Sequence, residues 1–283
     1  MIVPNSIIHG DCLEVMKDID DNSIDMVLTS PPYDNLRTYN GSLEWGEHVW
    51  KPVIDELYRV VKDGGVVVWV VGDATIKGSE TGTSFKQALY FKDVGFNIHD
   101  TMIYEKKNIS FPESVRYYNA FEYMFIFSKG KNKTFNPITK PNPLAGKIMR
   151  PTKRGKDGVL LKDSGYLKPY PDVSVLRNVW RYATGTASST DRLARNHPAI
   201  FPEQLANDHI FTWSNEGDTI LDPFAGSGTT GKMAILNNRK YILIEKEETY
   251  FEICKQRTAE AMAKFNNTQQ RLTDFSFDIT KNS

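Results

Sequence analysis

The run Leu28-Thr29-Ser30-Pro31-Pro32-Tyr33 has the residue types that could act on the amino group of a flat heterocycle. It follows the apolar segment 24–28, which is typical of a buried strand. Because proline lacks an N–H and fixes φ, Pro31 and Pro32 end that strand at once. The Ser30 hydroxyl and the Pro31 carbonyl could then accept hydrogen bonds from an amino group, while the Tyr33 ring stacks on the heterocycle. A Pro-Pro-Tyr turn alone is more often a plain surface turn, so this interpretation needs support from the rest of the chain.

A glycine-rich loop supplies that support. The run 226–231, Gly-Ser-Gly-Thr-Thr-Gly, matches G-x-G-x-x-G between an expected strand, 218–222, and an expected helix. Glu245 follows the next strand, where an acid typically accepts from both ribose hydroxyls, and Asp222 could accept from an amine. The pattern predicts a nucleoside cofactor and leaves a dinucleotide and S-adenosylmethionine both open. A P-loop is excluded because no Gly-Lys-Ser or Gly-Lys-Thr follows the glycines.

Length and composition indicate one large α/β domain, or one domain with a smaller insert. The chain has 283 residues, of which 40% are hydrophobic and 12% aromatic, enough for a sizeable core. Cys12 and Cys254 fit no metal spacing and are expected to be reduced thiols. The N-terminus does not resemble a signal peptide, and the longest apolar run, 66–71, is too short to span a bilayer. We therefore expect a cytoplasmic protein without a membrane partner.

Charge is distributed unevenly although the net charge is zero. From Lys129 to Arg195 there are 15 basic and 4 acidic residues, which leaves 35 − 15 = 20 basic and 35 − 4 = 31 acidic residues elsewhere. A segment of +11 within a frame of −11 points to a polyanionic partner.

Hydrophobic periodicity predicts strands alternating with helices, and hence a doubly wound, mostly parallel sheet. The segments 97–105 and 121–128 are expected to form an antiparallel pair. Acids follow several expected strands, at the sheet edge where such folds bind ligands: Asp11, Asp73, Asp222 and Glu245. The expected strands are 6–11, 24–28, 66–71, 97–105, 121–128, 218–222 and 241–245, and the expected helices are 12–19, 48–62, 85–94, 202–213, 232–237 and 250–265.

Together these motifs resemble the S-adenosylmethionine-dependent DNA amino-methyltransferases. The Ser-Pro-Pro-Tyr turn is similar to their catalytic motif, and the run 222–230 is similar to their cofactor loop. The catalytic turn comes first, as in the β group, whose chain is a circular permutation of the usual methyltransferase order. The resemblance implies a class I methyltransferase-like fold with an irregular basic insert, and it covers nearly everything outside 130–195.

The resemblance also implies roles for individual residues. The catalytic residues would be Ser30, Pro31, Pro32 and Tyr33. The residues binding S-adenosylmethionine would be Asp11, Asp222, Phe224, Gly226, Ser227, Gly228, Thr229, Thr230 and Glu245, with His197, Pro198 and Phe201 closing over its methionine part. The residues contacting DNA would be Lys153, Arg154, Lys156, Arg177 and Arg181. Each of Asp11, Asp73 and Glu245 could instead be a capping acid, and His197 fits a structural role better than a catalytic one.

The implied domain organisation follows the motif order. Residues 1–129 would form the catalytic part of the methyltransferase domain, 130–195 a target-recognition insert, 196–265 the cofactor-binding part and 266–283 a polar tail. The reaction needs neither a metal nor a covalent intermediate. Because an amino group in duplex DNA is buried, the target base would have to flip out.

Several alternatives stay open. The target is expected to be cytosine N4, since serine at position 30 is more frequent in those enzymes, with adenine N6 as the other candidate. Methylation of RNA or of a protein amide, and a DNA-binding protein with a dead active site, are further alternatives. Double-stranded DNA is the expected partner, and the resemblance also allows a homodimer and a cognate restriction endonuclease.

Overall fold

The structure, a computed structural model, describes residues 2–34, 45–108, 115–149, 154–160, 168–196 and 200–281. The chain divides into two compact units. The larger unit comprises residues 1–136 and 178–283, and the smaller one comprises residues 137–177.

The first part of the larger unit alternates strands and helices. In order, it forms β1 (Ser6–His9), α1 (Cys12–Met16), β2 (Ile24–Thr29), α2 (Glu47–Val60) and β3 (Val61–Val71). Strand β2 is almost wholly buried, as its apolar run predicts. Helix α2 presents one apolar stripe to the sheet: Trp50, Val53, Ile54, Leu57 and Val60.

A hairpin and a helix then lead to two long strands. The hairpin consists of β4 (Thr75–Ile76) and β5 (Ser79–Glu80), and it is followed by α3 (Thr83–Val94), β6 (Asn97–Lys106) and β7 (Phe121–Ser128). Strands β6 and β7 pair antiparallel, as the sequence predicts.

The smaller unit contains only short strands. These are β8 (Thr139–Pro141), β9 (Ile148–Met149), β10 (Lys168–Pro169) and β11 (Val173–Val175), paired antiparallel as β8 with β11 and β9 with β10. This unit lies within the predicted insert, 130–195.

The remainder of the larger unit returns to the alternating pattern. It forms β12 (Val179–Tyr182), two 3₁₀ turns at Gly185–Ser188 and Leu193–Asn196, α4 (Glu203–Trp213), β13 (Thr219–Asp222), α5 (Thr229–Leu236), β14 (Lys240–Glu245) and α6 (Glu248–Lys281).

Eight strands form one sheet in the order β1-β14-β13-β2-β3-β7-β6-β12. All neighbours pair parallel except those of β7, which runs antiparallel to both β3 and β6. This mostly parallel sheet with its helices confirms the predicted fold class. The carboxyl ends of the parallel strands share one edge, and the reversed β7 brings its amino end to that same edge.

Some predicted boundaries are wrong. Helix α2 ends at Val60, and β3 already begins at Val61, where the sequence predicts helix up to residue 62. The glycines at 64 and 65 lie in this strand at a register shift, and Gly64 has φ 85°, so they mark an irregularity and not a helix end. Helix α1 ends at Met16, short of the expected residue 19, and β1 ends at His9.

The C-terminal helix is longer than expected. Helix α6 continues to Lys281, through most of the predicted polar tail, 266–283. Residues 266–281 contain neither glycine nor proline, so the sequence there has no strong signal to stop a helix. No helix among the described residues is both long and apolar enough to cross a membrane.

Candidate functional site

The Ser-Pro-Pro-Tyr turn lies directly after β2, at the carboxyl edge of the sheet. Pro31 and Pro32 are buried, while Ser30 and Tyr33 are half-buried. The Ser30 Oγ lies 2.9 Å from the Tyr33 hydroxyl oxygen. The sequence predicts that these residues act together as one catalytic turn, and the structure places their two hydroxyls in hydrogen-bond contact.

Two charged residues that sequence reasoning missed complete this contact. Tyr33 donates a hydrogen bond to Glu122 Oε2 at 2.8 Å, and Glu122 Oε1 pairs with Lys106 Nζ at 2.9 Å. Glu122 is the second residue of β7, and Lys106 is the last residue of β6. Lys106 lies at the carboxyl edge because β6 has the direction of the parallel strands, and Glu122 lies there because β7 is reversed. The predicted antiparallel pair was the signal that could have found them.

The glycine loop connects β13 to α5. Gly228 has φ 79° and immediately precedes α5. A Cβ on Gly228 would lie 2.7 Å from Cys254 Sγ, so the turn needs glycine for conformation and for space. Ser227, Thr229 and Thr230 are buried, and Thr230 Oγ1 donates to the Leu28 carbonyl at 3.3 Å. The loop is therefore packed against β2 as well as against α6.

Asp222, at the end of β13, is buried and bound by the protein itself. Its Oδ1 accepts from Thr29 Oγ1 at 2.6 Å and from the Phe224 N–H at 3.1 Å. Burial raises the pKa of Asp222 to about 6, although these hydrogen bonds favour the charged form. These contacts join the catalytic turn to the cofactor loop, so Asp222 organises the loop.

Glu245, at the end of β14, faces the glycine loop. Its Oε2 accepts from the Gly226 N–H at 2.7 Å, and its Oε1 accepts from the Glu247 N–H at 2.8 Å. Burial raises the pKa of Glu245. A carboxylate offers about four acceptor positions, so these two bonds leave capacity on both oxygens for a pair of hydroxyls. This half-buried carboxylate fits the ribose of a nucleoside cofactor.

The other acids at this edge cap helices. Asp11 Oδ1 accepts from the Leu13 N–H at 3.0 Å as the N-cap of α1, and its Oδ2 pairs with Lys246 at 3.0 Å. Asp73 accepts from the Ser84 N–H at 2.9 Å in the first turn of α3. The capping alternative therefore describes their contacts well.

The remaining members of the predicted cofactor site are only partly described. The Phe224 ring lies edge-on to Trp45 and Trp69, with centroids 5.6 Å and 6.3 Å away. Phe201 is half-buried just before α4. His197 and Pro198 lie outside the described residues.

A largely buried cluster of two acids and two bases contacts the glycine loop. Arg257 of α6 donates to the Ser227 carbonyl at 2.6 Å and pairs with Glu203 and Asp191, each at 3.0 Å. Lys232 of α5 pairs with the same two acids, each at 2.7 Å. Sequence reasoning missed this cluster because its members are scattered over the chain.

The predicted DNA-contacting residues do not form a single described group. Arg154, Lys156 and Arg177 are exposed in the smaller unit, and Arg154 donates to the Gly158 carbonyl at 2.9 Å. Arg181 belongs to the larger unit and lies 3.4 Å from Glu105. Lys153 lies outside the described residues.

A family model described as DNA methylase, for the N6 and N4 methyltransferases, matches residues 24–256. The chain belongs to this DNA methylase family. The methylase is 55% identical over 248 residues to the orphan methyltransferase M.BamHII of Bacillus amyloliquefaciens, covering 85% of this chain and 91% of that protein. It is also 30% identical over 272 residues to the DNA adenine methyltransferase YhdJ of Escherichia coli K12, covering 92% and 86%.

Solved structures share the fold of the methylase. The PvuII DNA methyltransferase, described as cytosine-N4-specific, superposes with a TM-score of 0.68 at 21% identity and covers 94% of this chain and 93% of its own. A putative DNA modification methylase of Thermus thermophilus, complexed with S-adenosyl-L-methionine, gives a TM-score of 0.59 at 23% identity, with coverage of 90% and 95%. The family model and the relatives confirm the predicted family, enzyme class and cofactor, and the solved structures confirm the predicted fold class.

We expect Glu245→Ala to weaken binding of S-adenosylmethionine by ~1–3 kcal/mol, because buried ribose hydroxyls would lose their acceptor. Isothermal titration calorimetry measures the effect directly. Glu248→Ala is the matched control, since Glu248 is an exposed acid in the first turn of α6. Equal affinity in Glu245→Ala and the parent would show that the nucleoside does not bind beside Glu245.

The buried charge cluster predicts acid sensitivity. Burial alone would raise the pKa of Asp191, but bonds from Lys232 and the Ala194 N–H, with the charge of Arg257, lower it from 3.8 to about 2. The stabilisation is therefore complete above the unfolded value of 3.8 and is lost as pH falls toward 2.

We expect Asp191→Asn to lower the free energy of unfolding by about 2 kcal/mol near neutral pH, with a deficit that shrinks on acidification from about pH 4 toward pH 2. Urea unfolding at several pH values measures it. Asp93→Asn, at an exposed position of α3, is the control. A deficit that stays constant with pH would contradict the charge-based account.

Proposed function

We propose that this methylase transfers a methyl group from S-adenosylmethionine to the N4 amino group of a cytosine in double-stranded DNA. The observation that carries the proposal is the position of Ser30, at the carboxyl edge of the sheet and in contact with Tyr33 at 2.9 Å. The Asp222–Thr29 hydrogen bond of 2.6 Å holds this turn beside the glycine loop. Acceptor and cofactor loop would thus form one site.

The chemistry follows from the weakness of the nucleophile. An exocyclic amino group conjugated to a base must lose that conjugation before its nitrogen can attack. Ser30 Oγ and the Pro31 carbonyl would accept hydrogen bonds from the amino group, and the half-buried Tyr33 ring would stack on the base. The sulfonium would leave as a neutral thioether, and the methylated nitrogen would then lose one proton to solvent. Holding the nitrogen in line with the methyl group then supplies much of the rate, with reacting atoms about 3–3.5 Å apart.

The cofactor would lie over the glycine loop, at the ends of β13 and β14. Glu245 would accept from the ribose hydroxyls, and the methyl group would come from the sulfonium of bound S-adenosylmethionine. The target base would leave the duplex to reach this edge, at a cost of a few kcal/mol that stacking on Tyr33 offsets. Asp11, with one oxygen in the α1 cap and the other paired with Lys246, would border the adenine.

The choice of cytosine over adenine is based on the residue type at position 30. By resemblance to the family, serine at this position is more frequent in enzymes that methylate cytosine N4, whereas aspartate or asparagine would suggest adenine N6. Adenine N6 is the second candidate, because the relative with 30% identity is named a DNA adenine methyltransferase.

The insert 130–195 would carry target recognition, between the catalytic part, 1–129, and the cofactor-binding part, 196–265. Its excess of basic residues and the exposure of Arg154, Lys156 and Arg177 support this role. A homodimer, a cognate restriction endonuclease and a cytoplasmic location also stay predictions.

We expect N4-methylcytosine in DNA treated with the purified methylase and S-adenosylmethionine. Mass spectrometry of the digested nucleosides identifies the product, with RNA and protein offered as alternative substrates in parallel. Only N6-methyladenine would overturn the choice of base and leave the site intact. Only 5-methylcytosine would overturn the mechanism, which uses no cysteine nucleophile; Cys12 and Cys254 are buried thiols, and burial raises the pKa of each.

The insert should also contribute to DNA affinity through charge. We expect replacement of Lys153, Arg154 and Lys156 by glutamine to flatten the salt dependence of DNA binding. The slope of the logarithm of affinity against the logarithm of salt concentration should decrease in magnitude by ~0.9 for each phosphate that the protein no longer neutralises. Fluorescence anisotropy over a salt series measures the slope. Replacing the exposed Lys92 and Lys240 is the charge control. An unchanged slope would place the cluster away from DNA.

A further inference from the structure

The Tyr33 hydroxyl lies between two possible partners with different hydrogen-bonding abilities. On one side Ser30 Oγ, 2.9 Å away, can either donate or accept. On the other side Glu122 Oε2 lies 2.8 Å away. A phenol has a single proton, so the direction of one bond restricts the direction of the other.

Glu122 settles that direction. Its other oxygen, Oε1, forms an ion pair with Lys106 at 2.9 Å. A carboxylate in an ion pair accepts hydrogen bonds and donates none, so the proton of Tyr33 points to Glu122. The bond between Ser30 and Tyr33 must then have Ser30 as its donor. Because its own proton is directed at Tyr33, Ser30 Oγ presents its lone pairs to an incoming amino group.

We infer that Glu122 is a positioning residue, which fixes the direction of the Ser30–Tyr33 hydrogen bond and thereby makes Ser30 an acceptor for the target amino group. The inference rests on the proposed amino-methyl transfer. Glu122 does not touch the base in this account; it acts through Tyr33 and is itself held by Lys106.

The fold gives Glu122 a defined place. In the register of β3 and β7, Val71 pairs with Tyr123, so Glu122 follows at the end of β3. Gly72 lies directly beside the contact: a Cβ there would lie at ordinary van der Waals distance from both side chains, 3.6 Å from Glu122 Cγ and 3.7 Å from Tyr33 Cδ2. The side chains of Glu122 and Lys106 are only 18% and 23% exposed, so water competes weakly for their bonds.

Glu122→Gln reverses the relay with little change in shape. An amide has one oxygen, which Lys106 requires as its acceptor, so the NH₂ group turns to Tyr33. Tyr33 must then donate to Ser30 Oγ, and the Ser30 proton points toward the substrate. The Ser30 hydroxyl and the target amino group would then both be hydrogen-bond donors facing each other. We expect single-turnover methyl transfer to slow about 10- to 100-fold, the cost of one misdirected hydrogen bond. The affinities for cofactor and DNA should stay within about twofold.

A double-mutant cycle with Tyr33→Phe distinguishes this role from simple structural support. Without the phenol the relay no longer exists, so Glu122→Gln should slow the Tyr33→Phe enzyme by less than about twofold. Glu56→Gln is the matched control, because Glu56 is also half-buried and paired, with Arg59 at 2.7 Å, but lies on α2. It should leave the rate unchanged in both backgrounds.

Equal loss from Glu122→Gln in both backgrounds would overturn the inference and assign Glu122 a structural role. No loss in the parent background would also overturn it. Failure of the proposed function looks different, since the parent enzyme itself would then yield no N4-methylcytosine. If the parent yields N6-methyladenine instead, the same cycle still tests the relay on that amino group.

Discussion

A buried hydrogen bond between Thr29 and Asp222 holds the two halves of the site together. The residues are 193 positions apart in the chain, yet Thr29 Oγ1 lies 2.6 Å from Asp222 Oδ1. Thr29 ends β2 and immediately precedes the catalytic turn, while Asp222 ends β13 and immediately precedes the glycine loop. Burial of the carboxylate raises its pKa to about 6, so the charged form is unfavourable there unless the hydrogen bonds are kept. Separating the two strand ends would leave that charge without its partner.

The parallel pairing of β2 with β13 is what makes this bond possible. The chain forms β2, which leads into the catalytic turn, before residue 30 and forms the cofactor strands β13 and β14 only after residue 218, but the sheet places β13 directly beside β2. A permuted order of motifs therefore leaves the spatial arrangement at the carboxyl edge intact. The reversed strand β7 has a separate consequence, because it delivers Glu122 to the same edge from the opposite chain direction.

The sequence predicts the parts of this site that follow one another along the chain, and it fails where distant residues meet. The Ser-Pro-Pro-Tyr turn and the glycine loop have local signatures, since prolines end a strand and glycines permit a left-handed turn. The cluster of Asp191, Glu203 and Arg257 has no such signature, because its members only meet after α6 packs on α5. Register shifts are equally hard to predict: the strand β3 starts at Val61 because pairing with Ile24 outweighs the two glycines that suggested a helix end.

The capping acids illustrate a further limit. In the sequence, Asp11 and Glu245 both follow a short apolar run that predicts a strand, and nothing local distinguishes them. The structure distinguishes them by what they bind: Asp11 uses one oxygen for the cap of α1 and the other for Lys246, whereas Glu245 binds two backbone N–H groups and keeps acceptor capacity on both oxygens. Only contacts in three dimensions show how much of a carboxylate remains for a ligand.

The choice of serine as the acceptor at position 30 imposes a requirement that a carboxylate would not. A carboxylate presents lone pairs in every orientation, but a hydroxyl is a donor or an acceptor depending on where its own proton points. A site that uses serine to hold an amino group must therefore dispose of the serine proton on a second group, and that group needs an acceptor of its own. Tyr33 and Glu122 form such a series, at 2.9 Å and 2.8 Å, and Lys106 ends it with a charge at 2.9 Å. The ion pair between Lys106 and Glu122 thus meets a requirement that the serine hydroxyl facing the base creates.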